Sequence, residues 1–269
     1  MILDFFAGSG TTGHAIIDLN RRDWDKEIEA NRKYILVEMG EHFDTVLKPR
    51  IEKVVYSPEW KDGKPQSSDK GISHCFHYLT LESYEDTLNN LELKTPEGAQ
   101  ASLMGLADQD EYLLRYMLDV EARGSLLSTD DFRHPFDYAM QIAADSSGAT
   151  TRHKVDLVET FNWLVGLRVG HVERRISRGL VLVEGTLPGG EAALVVWRDV
   201  DKVDNAALAE TLKAQGYLSK ADEKPLKDVG TIFVNGDHAL PPVLSGETGE
   251  TKVRALEDAF LAAMFGEGR

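Results

Sequence analysis

The chain contains a single cysteine, Cys75, in 269 residues, so no disulfide can form within it and a reducing, cytoplasmic setting is expected. No stretch is long and apolar enough to span a bilayer, and no basic-then-apolar leader stands at the N-terminus. No membrane partner is therefore expected. Positive charge is scarce as well: 30 Lys and Arg stand against 45 Asp and Glu, a formal net charge of −15. Nucleic-acid binding draws much of its affinity from cationic contacts to phosphates, so the chain is not expected to form the main DNA-gripping surface. Any DNA would be held mostly by something else. A zinc-type cluster of Cys and His is lacking too. His74-Cys75-Phe76-His77 offers three ligands, but a structural zinc site takes four, usually from two separated pairs, and no second pair follows. That segment reads as part of a strand over Ser73–Leu81 with Cys75 and Leu79 turned inward. There is no internal repeat. What remains is the composition of a globular protein, 42% hydrophobic and 28% charged, at a length that suits one or two domains.

What is present is ordered by a change of pattern. A short apolar strand, Ile2–Phe6, runs into a glycine-rich turn that opens a helix over Thr11–Arg22, with Ala15, Ile16 and Leu19 as its apolar stripe. A polar loop, Asp23–Lys33, a strand, Tyr34–Met39, and a helix, His42–Val55, follow. This βαβα alternation implies parallel strands joined by crossover helices. A strand buried in a parallel sheet needs neighbours on both sides, and nothing precedes Met1 to supply them, so the chain is expected to be the later part of a larger enzyme. The Pro-, Gly- and Ser-containing stretch Ser57–Gly71 reads as a loop or linker that ends the first block at residue 56. Between residues 57 and 154 the signals are mixed, with short helices expected over Tyr84–Leu91 and Glu111–Glu121. From Val155 they sharpen. Leu157, Phe161, Leu164 and Val165 mark a helix face, and Leu180–Gly185 and Ala192–Trp197 form a hairpin around Pro188-Gly189-Gly190. A helix over Ala206–Gln215, a strand over Gly230–Asn235 and a closing helix over Val253–Phe265 complete a small α/β unit, residues 155–269. In that last helix Val253, Leu256, Phe260 and Met264 are expected to face inward.

The chemistry lies in the glycine turn. Gly8, Gly10 and Gly13 fit G-x-G-x-x-G between a strand and a helix, where unpaired N–H groups and a positive helix end meet an anionic ligand group. A phosphate-binding loop of the same spacing needs Lys and then Ser or Thr, whereas His14 and Ala15 follow here, which argues against an ATPase. The surrounding Asp4-Phe5-Phe6-Ala7-Gly8-Ser9-Gly10-Thr11-Thr12 resembles the S-adenosylmethionine motif of DNA amino-methyltransferases, whose core is Phe-x-Gly-x-Gly. An acid at the strand end, Asp4, can hold the ammonium of the methionine moiety, and the glycines let backbone approach the cofactor. Glu38, at the end of the second strand, can accept hydrogen bonds from ribose hydroxyls. It lies 28 residues past Gly10, more than the spacing of about 20 typical of dinucleotide folds, and the polar insert Asp23–Lys33 accounts for the excess. Taken singly, Asp4 is a capping or strand-end acid and Glu38 a solvated carboxylate; the glycines beside them favour the cofactor reading.

The wider sequence resembles the modification subunit of type III restriction–modification systems. The resemblance rests on Asp4–Thr12, on Asn31-Arg32-Lys33-Tyr34-Ile35-Leu36-Val37-Glu38, and on the stretches Tyr84–Leu88, Tyr116–Asp119, Val155–Asn162 and Phe233–Asp237. It implies an adenine-N6 DNA methyltransferase that uses S-adenosylmethionine and works as a homodimer with a restriction subunit. It also implies a partial Rossmann-like methyltransferase sheet, then a helical segment and a C-terminal α/β assembly domain. In that class an Asp-Pro-Pro-Tyr tetrapeptide lies upstream of the cofactor motif, with the target-recognition region, and holds the amino group of a flipped adenine. Ser57-Pro58-Glu59-Trp60, His134-Pro135-Phe136-Asp137 and Pro241-Pro242-Val243 cannot replace it. No catalytic residue is therefore assigned, and the chain alone is expected not to transfer a methyl group. Two other functions fit parts of the sequence: an interaction module for a dimer or restriction subunit, and a nicotinamide-dependent oxidoreductase resting on G-x-G-x-x-G alone.

Remaining features have plain readings. His14 is an exposed first-turn residue, Asn235-Gly236-Asp237 a turn, and Trp197 a core residue. Glu173, Arg174, Arg175 and Arg178 form a solvated charged face.

Overall fold

A computed structural model describes residues 1–28, 31–67, 69–83, 86–87, 90, 127–128, 130–143, 149–218, 229–245 and 250–266. Most of the expected helix Tyr84–Leu91, the whole of Glu111–Glu121, and the stretch Tyr116–Asp119 lie outside these residues. The chain divides into two compact units, Met1–Thr80 and Leu81–Arg269. Together they form a mixed α/β protein in which the described strands make several separate sheets. No described helix is long and apolar enough to cross a membrane.

The first unit is built on a βαβ turn of chain. Strands β1 (Ile2–Asp4) and β2 (Tyr34–Leu36) pair in parallel, with Ile2 opposite Tyr34 and Asp4 opposite Leu36. Helix α1 (Thr11–Trp24) connects them. Both strands are shorter than their apolar runs, yet the pairing continues irregularly: Val37 N–H donates to Asp4 O and Ala7 N–H to Val37 O. The second expected helix is a π-type turn, Phe43–Leu47, continuing into α2 (Lys48–Tyr56). Ile17 of α1 meets Leu47, Ile51 and Val54 in a small core that includes Ala7, Tyr34 and Leu36. The stretch after α2 is more ordered than its composition suggests. Asp62 and Gly63 both take positive φ, 50° and 74°, and close a hairpin of β3 (Trp60–Lys61) and β4 (Lys64–Pro65). An Asp-Gly pair supplies that turn at little cost. The Trp60 indole donates to Lys53 O and Ser57 O, fixing the hairpin on α2. Residues 73–81 form no strand, Cys75 is exposed and so is Leu79. Side chains hold this segment instead of a ladder: His74 stacks on Tyr34 and bonds its hydroxyl at 2.7 Å, and Tyr78 donates to Asp44.

The second unit is a three-layer sandwich. Strands β5 (Ala139–Ala143) and β6 (Thr150–Lys154) form a separate hairpin. Helix α3 (Leu157–Leu164) starts at Asp156, whose carboxylate caps Glu159 N–H. Six strands then make one sheet: β7 (Arg168–Arg175), β8 (Leu180–Thr186), β9 (Ala192–Arg198), β10 (Thr231–Val234), β11 (Val243–Ser245) and β12 (Glu250–Ala255). Their spatial order is β11-β12-β10-β9-β8-β7, with β9, β10 and β12 parallel. Helix α4 (Asn205–Ala214) links β9 to β10, and α5 (Leu256–Phe265) follows β12.

Alternation along β8 and β9 explains the layers. Val181, Val183, Val195 and Trp197 face one side, against Leu157 and Phe161 of α3 and Leu256 and Phe260 of α5. Leu180, Leu182, Leu194 and Val196 face the other, against Leu208 and Leu212 of α4. Strands covered on both faces read as unbroken apolar runs, which is why the hairpin was visible in the sequence. The closing helix is shorter than expected. Val253 lies on β12 opposite Ile232, the helix begins only at Leu256, and Met264 is 39% exposed rather than inward. β12 pairs in parallel with β10 and antiparallel with β11, and the apolar spacing from Val253 to Leu256 fits a strand face as well as a helix face.

Candidate functional site

Each glycine of the turn has a different physical reason to be there. Gly8 takes φ +53°, and the nearest atom to a Cβ placed on it, Phe6 O, is 3.9 Å away, so the main chain there is open to a ligand. Gly10 takes φ +77° as the residue before α1, and a Cβ would stand 3.0 Å from Leu47 Cγ. Gly13 lets α1 press on its neighbours: a Cβ would lie 2.8 Å from both Ile51 Cδ1 and Leu36 Cδ1. Open approach, left-handed turn and close helix packing are the three roles such glycines play at a nucleotide-binding turn.

Two carboxylates reach the turn from the strand ends. Asp4 accepts Phe6 N–H at 3.2 Å and the Thr12 hydroxyl at 2.5 Å. Those bonds use one lone pair on each oxygen and leave others for a cationic group. Glu38 accepts Gly8 N–H at 2.8 Å, and Met39 and Gly40 N–H at 3.0 and 2.9 Å. Its Oε2 also stands 3.3 Å from His42 Nε2. Gly40 and Gly8 N–H groups hold its pKa below the ordinary 4.5, because hydrogen bonds to the charged form favour it. Glu38 is thus a main-chain clamp that ties the second strand to the glycine turn. For the ribose role expected of it, bonds to Met39 or Gly40 would have to exchange.

The remaining motif residues sort by exposure. Ala7 and Gly10 are buried, and Ser9 and Thr11 are exposed. Phe5 and Phe6 are 65% and 90% exposed, so neither aromatic belongs to the core of the unit.

Arg50, which no motif marks, joins the site. From α2 its Nη1 donates to Ser9 Oγ at 2.9 Å, Thr11 Oγ1 at 3.0 Å and Ser9 O at 3.3 Å. Its Nε donates to His14 Nδ1 at 3.2 Å, while His14 Nε2 faces Asp18 at 3.2 Å. His14 is therefore half-buried and bonded rather than a free first-turn residue. The signal available was the helical phase: Arg50 adjoins Leu47, Ile51 and Val54, the residues that pack α2 on α1.

Other singled-out features are structural. Asn235 is fully buried and takes more than a turn role. Its Oδ1 accepts Arg198 N–H at 2.7 Å, and its Nδ2 donates to Phe132 O and Arg198 O. The buried Arg198 side chain donates to the carbonyls of Val203, Asn235 and Asp237. Arg174 pairs with Asp156, Arg175 with Glu173, and Trp197 is fully buried. Among the described residues no group of three or more His, Cys, Asp or Glu side chains could hold a metal ion.

Residues 1–48 match the family model described as DNA methylase, of the N6/N4 amino-methyltransferase type. The match covers β1, the glycine turn, α1, β2 and Glu38, and ends two residues before Arg50. No curated protein and no solved structure matches the chain.

Proposed function

We propose that the first unit supplies the S-adenosylmethionine-binding part of a DNA adenine-N6 methyltransferase resembling type III modification subunits, and that the second unit is an assembly domain. The observation that carries the reading is the convergence of Asp4, Glu38 and an open Gly8 backbone on one turn, within the stretch similar to DNA methylases. The cofactor supplies an electrophilic methyl group. Asp4 would hold its ammonium, Gly8 and Gly10 its close approach to the main chain, and Glu38 its ribose once a main-chain bond gives way. Phe5, Phe6, Ala7, Ser9, Thr11 and Thr12 line or shape the same turn.

The apolar residues Ile2, Leu3, Ile35 and Val37 of the two-stranded sheet are exposed, although parallel strands are ordinarily covered on both faces. This favours completion of the sheet by further strands, from a region carrying the Asp-Pro-Pro-Tyr-like tetrapeptide and target recognition. DNA would then be engaged only by the completed enzyme, as a homodimer with a restriction subunit. The reading places the protein in a reducing, cytoplasmic compartment, in a partial Rossmann-like sheet.

Calorimetric titration of the whole chain tests it. Binding of S-adenosylmethionine without methylation of duplex DNA is expected. Methylation by the chain alone would overturn the assignment of the catalytic part elsewhere. Absence of binding at millimolar cofactor would favour a pure interaction module, and preferential binding of NADH an oxidoreductase.

A further inference from the structure

We infer that Arg50 holds the carboxylate of the cofactor's methionine moiety, at the same glycine turn where Asp4 would hold its ammonium. The inference rests on the cofactor reading above and adds a residue beyond the 1–48 stretch of similarity.

In a chain carrying 45 acidic residues, Arg50 has no carboxylate partner among the described residues. Two other arginines of the first unit do: Arg21 pairs with Asp18 at 2.7 Å, and Arg32 pairs with Asp23. Arg50 instead spends its donors on neutral acceptors, the Ser9 and Thr11 hydroxyls, Ser9 O and His14 Nδ1. Its Nη2 meets no acceptor among the described residues. A guanidinium in that position is an unmatched positive charge with part of its fork unused, the arrangement suited to a planar carboxylate.

Geometry then pairs it with Asp4. Thr12 donates its hydroxyl to Asp4, and Thr11, the next residue along the chain, accepts from Arg50. One negative and one positive side chain therefore meet consecutive residues at the start of α1. An α-amino acid carries its ammonium and carboxylate on one carbon, so its two charges need opposite partners at short range. Asp4 and Arg50 supply the two signs at one glycine turn. The guanidinium is held ready, since His14 accepts from it at Nδ1 while Nε2 is anchored on Asp18. A group fixed before the ligand arrives loses less freedom on binding.

Titration of the whole chain with two ligands decides the matter. S-adenosylmethionine carries the amino-acid moiety, whereas 5′-methylthioadenosine keeps the adenosine and thioether without it. Arg50→Gln should weaken S-adenosylmethionine about tenfold more than it weakens 5′-methylthioadenosine, the scale of one charge-assisted contact. Arg50→Lys should lose less. Equal weakening of both ligands, or no change for S-adenosylmethionine, overturns the role of Arg50 while leaving the cofactor site standing. A measurement without any substitution guards against a variant that fails to fold: the unaltered chain should bind decarboxylated S-adenosylmethionine about tenfold more weakly than the intact cofactor. Equal affinity for the two overturns the inference. If the unaltered chain binds neither S-adenosylmethionine nor 5′-methylthioadenosine, the cofactor reading itself fails and Arg50's role with it.

Discussion

The two units bury their strands by opposite means. In the second unit, β8, β9 and β10 carry apolar side chains on both faces, and helices cover each face. In the first, β1 and β2 form a two-stranded parallel pair whose Ile2, Leu3, Ile35 and Val37 remain exposed. Isolated two-stranded pairs are marginal in water, while a covered sheet of three or more strands supports itself. The first unit adds polar clamps at its turn, Glu38 on Gly8 and Arg50 on Ser9 and Thr11, to a small core of Ala7, Ile17, Leu47, Ile51 and Val54. One unit thus rests on cores that cover both faces of its sheet, the other on a smaller core and the clamps at its turn.

That contrast can be broken most directly at Trp197, which stacks with Phe132 and meets Phe161 and Phe260 edge-on. Trp197→Ala should destabilise the second unit by about 4 kcal/mol, as for other large core truncations, read from the midpoint of urea unfolding. A loss below about 1 kcal/mol would mean that this core is not what holds the unit. In the first unit the sensitive position is a turn. Gly10→Ala forces a Cβ at φ +77° to within 3.0 Å of Leu47 Cγ, an expected cost of about 1–2 kcal/mol. The same variant should also weaken cofactor binding, whereas Trp197→Ala should leave it intact. The smallest effect concerns acid. The folded pKa of Glu38 is depressed, so its clamp contributes fully above 4.5 and is lost as pH falls through the folded value. Glu38→Gln should remove that part of the acid-side decline, seen as a flatter melting temperature against pH below 4.5. An unchanged profile would assign the decline to other carboxylates.

The sequence was legible where one pattern served one purpose. The apolar runs of β8 and β9, the α1 helix and the Asp4–Thr12 turn all stand where their residues imply. It was misleading where a pattern served two. Val253 suits the face of a helix and the face of a strand, and only the partner Ile232 decides for the strand. The polar content of Ser57–Gly71 hid an Asp-Gly hairpin, because Trp60 docks through its indole N–H rather than through an apolar period. Strand β7 escaped notice since Arg168, His171, Arg174 and Arg175 give a sheet edge the composition of a loop. At the site, the strand-end acids were visible beside the glycines, but Arg50 was not. Its role depends on α2 folding back over the turn, a contact spanning 41 residues to Ser9.

The double-sided burial of β9 also constrains how its gene can vary. Leu194 and Val196 belong to one core, Val195 and Trp197 to the other. Because side chains alternate strictly along a strand, losing or gaining a single codon there would exchange the two sets and send Trp197 into the layer built for Val196. Point changes among aliphatic residues leave that phase intact. Over these few residues the sheet therefore tolerates drift in spelling but not in count.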